Sequence, residues 1–479
     1  MPESSTETAY RAKRMAHWNS VAICADRWAG LGGAYHRRLE DVFRFLVVPG
    51  KRVLELGCGT GDLLAALKPS IGVGVDFAEE MIARARHKYP ELTWLTADAH
   101  DLASLDGPFD VIILSDLVDD LWDVQRVLAN VQRLCTPKSR ILINSYGKIW
   151  EPILSLAQYL GLSRPRLLQN WLTREDIVNM LDLTGFETLR TWQEVLLPID
   201  IPLLASLCNK VLVRFWPFKT FALSSVIVAR PKPVANAGRL PPVVSVIVPA
   251  RNEAGNIEAV LARTPEMGSG TELVFVEGHS QDGTYAAIEE QIARAPQRRC
   301  KLFRQTGKGK GDAVRLGFSA ASGDILMILD ADLTVPPEDL PRFYDALVSG
   351  TGEFINGVRL VYPMEKEAMR SANLVANKFF SLAFSWLLGQ RIKDSLCGTK
   401  VLWKDDYEWI AANRQYFGDF DPFGDFDLLF GASRQGLKIV DIPIRYRERT
   451  YGSTQIERWK HGLLLLRMSI YACRRIKFV

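Results

Sequence analysis

Val53-Leu54-Glu55-Leu56-Gly57-Cys58-Gly59-Thr60-Gly61-Asp62-Leu63-Leu64 is the stretch on which the fold of the first half turns. Its opening residues read as a short buried strand, Arg52–Leu56, and Asp62 onward reads as the start of a helix. Between them three glycines alternate with Cys58 and Thr60. Glycine permits a tight turn and close approach to the backbone, and the first amides of a helix are available as donors. Two readings of the turn stand side by side: a plain chain reversal, or a cradle for a ligand.

The flanking segments extend the pattern. Gly72–Asp76 reads as a second strand that ends in an acid fifteen residues beyond Gly61. A carboxylate at that tip can accept two hydrogen bonds from ribose hydroxyls. Leu92–Thr96 precedes Asp98-Ala99-His100, which sets another acid on the same edge. Val111–Leu114 and Arg140–Asn144 follow, and Thr220–Ala229 reads as a late antiparallel strand. Open α/β sheets bind ligands at the carboxyl ends of their strands, so the glycine turn, Asp76 and Asp98 converge.

The second half follows the same logic without repeating the sequence. Its strands are expected at Val244–Pro249, Glu272–Val276, Lys301–Arg304, Asp324–Leu329 and Lys438–Ile442. The fourth is apolar and runs abruptly into Asp330-Ala331-Asp332. Two carboxylates one residue apart can share a hard divalent cation, which favours oxygen ligands and neutralises a departing nucleotide diphosphate. A solvated turn is the plainer alternative. Gly307-Lys308-Gly309-Lys310-Gly311 offers two lysines either to phosphate or to solvent. Arg445, Arg447 and Arg449 form either a cationic strand edge or forks for phosphate oxygens.

Residues 231–242, PKPVANAGRLPP, hold four prolines and read as a linker. They divide the chain into a domain at 1–230, a domain at 243–455 and a basic tail at 456–479. A length of 479 residues fits two to four domains. With 48% apolar and 24% charged residues the chain is neither disordered nor fibrous. A net charge of +4 excludes a nucleic-acid partner recruited by bulk charge. Seven cysteines, scattered and without a CxxC pair, argue against a disulfide framework or a zinc site and for a reducing cytosol. The first twenty residues lack the apolar core of a signal peptide, and no uncharged apolar run reaches 18 residues.

The first domain resembles class I S-adenosylmethionine-dependent methyltransferases, through the E-L-G-C-G-T-G motif, Asp76, Asp98 and the fourth-strand segment Phe109-Asp110-Val111-Ile112-Ile113-Leu114-Ser115. The resemblance implies a Rossmann-like fold and S-adenosylmethionine as cofactor. It implies methionine near Glu55 and Gly57, the Gly59 and Gly61 turn around the cofactor, ribose on Asp76, and adenine near Asp98 and Ala99. A hydroxyl acceptor needs a base. His100, Asp116 and Asp119 are the candidates, each equally readable as structural, while Tyr35 and His36 either line an acceptor pocket or pack on a surface helix.

The second domain resembles glycosyltransferase family 2 with the GT-A fold, most of all the polyprenyl-phosphate mannose and glucose synthases. The motifs are Val246-Ile247-Val248-Pro249-Ala250-Arg251-Asn252-Glu253, Glu277-Gly278, the glycine–lysine loop, Asp330-Ala331-Asp332, Asp394-Ser395-Leu396-Cys397-Gly398-Thr399-Lys400, Gly424-Asp425-Phe426-Asp427 and the arginine segment with Tyr451-Gly452-Ser453. The resemblance implies a GDP- or UDP-sugar bordered by Pro249, Ala250, Asn252, Glu253, Glu277, Lys308 and Lys310. Asp330 and Asp332 would hold Mg²⁺ or Mn²⁺ with the diphosphate. Asp427, or else Asp425, would act as base toward a hydroxyl, and Arg449 would contact a donor or acceptor phosphate. Glu277-Gly278 stands where the family commonly carries two aspartates.

Residues 374–389 are apolar but short for a span, and residues 458–479 carry six Lys/Arg and no acid around Leu463-Leu464-Leu465-Leu466. The tail reads either as an interfacial helix on an anionic leaflet or as a packed terminal helix. Insertion 195–219, with Trp216 and Phe218, covers an acceptor or packs on the sheet. The chain as a whole is expected to be a cytoplasmic, peripherally membrane-bound fusion that transfers a sugar to a polyprenyl phosphate, with a methyltransferase serving the same pathway. Its rivals are a hydroxyl-directed glycan transferase with methyl capping, a first half that binds S-adenosylmethionine without turnover, and a scaffold with two degenerate sites.

Overall fold

The computed structural model describes residues 5–23, 25–161, 166–233, 240–359, 361, 371–414, 424–449, 451 and 466–478, without the side chains of 5, 25–32 and 371–376. Most of the expected linker, the Gly452-Ser453 pair and the tail at 452–465 lie outside the described residues. The chain forms two compact units, Met1–Lys232 with Lys477–Val479, and Pro233–Ile476.

The first unit is built on a seven-stranded mixed sheet. Its strands are β1 (Arg52–Leu56), β2 (Ile71–Asp76), β3 (Thr93–Thr96), β4 (Phe109–Ser115), β5 (Cys135–Tyr146), β6 (Phe186–Glu194) and β7 (Ser224–Pro231). They lie in the order β3-β2-β1-β4-β5-β7-β6. Strands β1 to β5 are parallel, and β7 runs antiparallel to both β5 and β6. Central β1 buries Val53, Leu54 and Leu56 completely, as a strand covered on both faces must. The order reverses between β1 and β4, and the glycine turn leaves β1 at that switch point, where open α/β sheets form their ligand crevice. The late strand begins at Ser224 rather than at Thr220, because Phe218–Phe221 winds as a 3₁₀ turn. Strand β6 is an addition to the sequence expectation.

The second unit has its own seven-stranded sheet: β8 (Val244–Ala250), β9 (Thr271–Glu277), β10 (Arg299–Arg304), β11 (Ile325–Ile328), β12 (Phe354–Val358), β13 (Lys400–Trp403) and β14 (Ile439–Pro443). The order is β10-β9-β8-β11-β13-β12-β14. The first four are parallel, β13 is antiparallel to its neighbours β11 and β12, and β12 pairs parallel with β14. Here too the order reverses beside the first strand, between β8 and β11. Strands β12 and β13 were not expected. Both units are thus mixed α/β sheets with a crevice set by strand order.

Helix Ser371–Leu388 buries Phe380, Phe384 and Leu387 against the second unit and leaves Phe379 and Leu382 exposed. No helix among the described residues is long and apolar enough to cross a membrane.

Candidate functional site

In the first unit Gly57, Gly59 and Gly61 all take positive φ, at 70°, 52° and 79°. That conformation strains other residues, which explains the alternating glycines. A Cβ on Gly57 would also meet Leu117 at 2.8 Å. The turn is locked to the tip of β2: Gly57 N and Cys58 N donate to Val75 O, and Gly59 N donates to Asp76 Oδ2 at 3.0 Å. Asp76 Oδ1 accepts from Ala78 N at 2.9 Å. Burial raises the Asp76 pKa, and these amides pull it back.

Glu55, only 3% exposed, is pushed up to about 8 by burial, and its Oε2 has no hydrogen-bond partner among the described residues. Asp98 lies across the crevice. Burial works to raise its pKa, but hydrogen bonds from His100 and the charge of Arg11, 2.5 Å away, hold it at about 2. His100 is engaged at both ring nitrogens: Nδ1 lies 2.6 Å from Asp98 Oδ1, and Nε2 accepts from Asp123 N at 3.1 Å. That pattern places the proton on Nδ1, from which His100 donates to Asp98.

A cleft of about 460 Å³ unites Gly57, Asp76, Asp98, Ala99 and His100. Its remaining wall includes Tyr10, Arg11 and Arg14 from the N-terminal helix Ser5–Ile23. Sequence reasoning missed these three. Their signal was an aromatic and two arginines one helical turn apart in an otherwise polar segment.

The acceptor-side candidates form a second cluster at the ends of β4 and β5. Asp116 accepts from Tyr35 Oη at 2.7 Å and from Asn144 Nδ2 at 2.5 Å. Asp119 accepts from Tyr146 N at 3.2 Å, and burial pushes it up to about 8. Tyr35 is therefore buried in the site, and the His36 ring packs edge-on against it with centroids 5.3 Å apart.

In the second unit the loops after β8, β9 and β11 carry non-glycine residues at positive φ: Asn252, His279 and Leu333. Such strain persists where the surroundings over-determine the loop. Asp330 forms a 2.5 Å ion pair with Lys310 Nζ. Burial opposes ionisation of Asp330, but the Lys310 charge prevails and lowers its pKa; burial likewise works against the ammonium, which Asp330 holds charged. Asp332 Oδ1 accepts from Thr334 N and Oγ1, and Asp332 Oδ2 accepts from Arg449 Nη2 at 2.5 Å. The same guanidinium reaches Glu253 Oε1 at 3.3 Å. Burial, against the pull of Arg449, leaves Glu253 at about 7.

Glu277 closes β9, buried, and accepts from Ser280 N at 2.5 Å. Asn252 N donates to Ser280 Oγ, which ties the Pro249–Glu253 segment to the Glu277 loop. Lys308 is exposed, whereas Lys310 pairs with Asp330. The two acids of Gly424-Asp425-Phe426-Asp427 part company. Asp425 lies 3.7 Å from the fully buried Lys400 and raises the pKa of Lys310. Asp427 turns instead to Arg414 at 3.3 Å and Arg315 at 3.8 Å, lining a separate 280 Å³ hollow. Asp394 is locked bidentately to Arg359 at 2.7 and 2.9 Å. Gly398 and Lys400 contribute to the centre in a way the sequence reading left unassigned.

Asp330 and Asp332 supply only hard oxygen donors, the kind a divalent cation takes. No set of three or more His, Cys, Asp or Glu side chains is placed to hold an ion among the described residues. As a pair they fit a cation that takes the rest of its shell from a ligand's oxygens. The first crevice fits a nucleoside cofactor: the Asp76 and Asp98 carboxylates line it, and Glu55 at the end of β1 keeps a buried oxygen with no hydrogen-bond partner among the described residues.

Residues 245–402 match the family described as Glycosyl transferase family 2, and residues 53–138 match the family described as Methyltransferase domain. Dolichol-phosphate mannosyltransferase of Pyrococcus furiosus is 28% identical over 225 residues, which cover 45% of this chain and 59% of the relative. The Saccharomyces cerevisiae protein of the same name is 38% identical over 108 residues, 22% of this chain and 40% of the relative. The chain thus spans about half the length of these curated relatives. A solved S-adenosylmethionine-dependent methyltransferase from Thermotoga maritima aligns with a TM-score of 0.35 at 16% identity, over 45% of this chain and 98% of that one. The chain joins a methyltransferase domain to a glycosyl transferase family 2 domain.

Proposed function

We propose that the second unit transfers a hexose from a GDP- or UDP-linked sugar to a polyprenyl phosphate, and that the first unit methylates a component of the same lipid-linked glycan pathway. The observation that carries this reading is the charge cluster at the β8/β11 switch point: Asp330 against Lys310, and Asp332 and Glu253 against Arg449. Three carboxylates and two fixed cations suit a donor diphosphate held through Mg²⁺ or Mn²⁺, which would screen the charge on the leaving group. Asp330 and Asp332 would hold that ion. Lys310 and Arg449 would orient phosphate oxygens, with the guanidinium fork suited to bidentate contact. Pro249, Ala250, Asn252 and Glu277 would border the nucleotide. A phosphate acceptor is already ionised and needs no strong base. The names of the similar mannosyltransferases support that acceptor.

In the first unit Asp76 would accept from the ribose of S-adenosylmethionine, the Gly57–Gly61 turn would admit its methionine end beside Glu55, and Asp98 and Ala99 would flank adenine. The cofactor supplies the transferable methyl group. Asp116 and Asp119 would hold or accept a proton from an acceptor hydroxyl, with Tyr35 and Asn144 orienting Asp116. The exposed Phe379, Leu382, Leu466 and Ile470 support peripheral attachment to the inner face of the membrane.

A second reading has one observation in its favour. Asp425, held beside Lys310 and Lys400, gives a hydroxyl-directed glycan transferase the base it needs. Purified protein incubated with GDP- and UDP-hexoses, with polyprenyl phosphate or oligosaccharide, and with Mn²⁺ or chelator decides between them by mass spectrometry. Metal-dependent sugar on polyprenyl phosphate is the expected product. Transfer only to oligosaccharide, or equal turnover with chelator, overturns the proposal.

A further inference from the structure

Two segments of the first unit turn large apolar side chains outward. The helix Glu151–Tyr159 follows β5 and buries none of its side chains. The stretch 199–221 connects β6 to β7. Tyr159 and Leu203 are each 88% exposed, Trp216 77%, Leu156 59% and Phe221 56%. The segments are joined into one face, since Trp150 Nε1 donates to Phe221 O at 2.9 Å and Gly147 N donates to Leu223 O at 2.7 Å.

This face is built, not loose. Buried Asn209 accepts from Leu196 N and Leu197 N and donates to Leu197 O, all within 2.8 Å. Arg214 donates to buried Glu194 at 2.6 Å. Asn209 and Arg214 of the 199–221 stretch point inward as anchors, while Leu203, Trp216 and Phe221 point to solvent, the reverse of the usual placing of large apolar groups. An exposed apolar area of this extent marks an interaction surface.

Charge selects the partner. The two segments with their leading Lys148 hold four cations, Lys148, Lys210, Arg214 and Lys219, against Glu151 and Asp200. Arg214 is spent on Glu194, and Asp200 pairs with Arg37 outside the segments. Lys210 and Lys219 therefore border an aromatic, aliphatic face on which Glu151 is the remaining acid of the two segments, and Lys148 at its edge lies within the field of Asp176. Basic side chains around Trp, Phe and Leu are the chemistry of an anionic lipid interface. The face also starts where the acceptor cluster ends: Asn144 and Tyr146 of β5 hold Asp116 and Asp119, and Lys148 follows two residues later.

We propose that this face seats the first unit on an anionic lipid surface, so that the methyl acceptor reaches Asp116 and Asp119 from the membrane. Only the acceptor clause rests on the methyltransferase reading given above. The docking stands on the surface alone.

The test is flotation of the full-length protein with vesicles of equal parts phosphatidylcholine and phosphatidylglycerol, in a Leu466→Ser/Ile470→Ser background that weakens contact through the second unit. Each Lys near such a surface contributes about 1 kcal/mol, or roughly fivefold in partitioning. Lys210→Gln/Lys219→Gln should therefore bind these vesicles about 25-fold more weakly. Leu203→Ser/Trp216→Ser should fall to the level seen with phosphatidylcholine alone. Undiminished flotation of both variants overturns the proposal. So does a wild-type dimer in lipid-free buffer that both variants convert to monomer, because the face would then belong to a second copy. Sugar transfer in detergent should survive in every variant. Its absence in the wild type would count against the function proposed above and leave the flotation result standing.

Discussion

Alanine at Gly398 tests the centre of the proposed sugar site with one methyl group. Gly398 is buried, and its φ lies outside the left-handed region, so the backbone itself tolerates a side chain. The obstacle is spatial. The new Cβ would overlap Asp330 Oδ2 and Lys310 Nζ and approach Asp330 Cγ to 3.0 Å. Both overlapped atoms end side chains that can swing aside, so the fold should survive, but the 2.5 Å Lys310–Asp330 pair must open. Losing a charge-assisted hydrogen bond costs about 1–3 kcal/mol. In a unit of this size each kcal/mol lowers the melting temperature by roughly 2–4 °C. Catalysis should suffer more, because a catalytic group displaced by ~1 Å loses about a hundredfold in rate. Steady-state sugar transfer at saturating donor, beside a melting curve, measures both. We expect kcat about a hundredfold lower in a protein that still melts cooperatively. Wild-type turnover by Gly398→Ala would refute the idea that this loop fixes Asp330.

Three further outcomes follow from other contacts. Glu55 has a folded pKa of about 8, above its ordinary range, so the native unit holds a proton that the unfolded chain releases. Its stabilising effect is complete below the ordinary glutamate pKa and fades as pH rises toward 8. Glu55→Gln should make the fall in melting temperature from pH 5 to 8 shallower, and an unchanged slope would contradict the assignment. His100→Ala removes the group that orients Asp98 and should weaken S-adenosylmethionine binding by about tenfold in calorimetry, the worth of one hydrogen bond near 1.4 kcal/mol; full affinity would show that the clamp is idle. Asp425→Asn should lower sugar transfer more than Asp427→Asn, while Asp427→Asn, which unpairs Arg315 and Arg414, should lower the melting temperature more. The opposite ranking would favour Asp427 over Asp425 as the base.

The strands most easily read from sequence were those whose apolar runs end in a chemical marker: β1 at the glycine turn, β2 at Asp76, β9 at Glu277 and β11 at Asp330. Parallel strands buried on both faces leave long apolar stretches, and their tips carry the polar groups. Strands β6, β12 and β13 escaped for the converse reason. Strand β6 mixes Glu187, Arg190 and Glu194 into its apolar residues, β12 contains Asn356 and Gly357, and β13 opens on Lys400, which burial alone would exclude from a core. Tertiary partners override propensity there, since Asn356 donates to Asp441 and Lys400 faces Asp425. In the sites, residue types were legible but pairings were not. Nothing in local spacing assigns Lys310 rather than Lys308 to Asp330, separates Asp425 from Asp427, or brings Arg11 from the N-terminal helix to Asp98. Those facts depend on long-range closure of the fold.

Arg449 lies 196 residues after Glu253 and 117 after Asp332, yet it answers both carboxylates. During synthesis the sheet core through β11 emerges from the ribosome well before that guanidinium does. A nascent chain halted short of it would carry a cluster of mutually repelling acids with half its counter-charge missing. Assembly of this charge cluster thus waits until Arg449 has been made, and a chain stopped before that residue would hold a sheet that folds but a cluster with the wrong electrical balance.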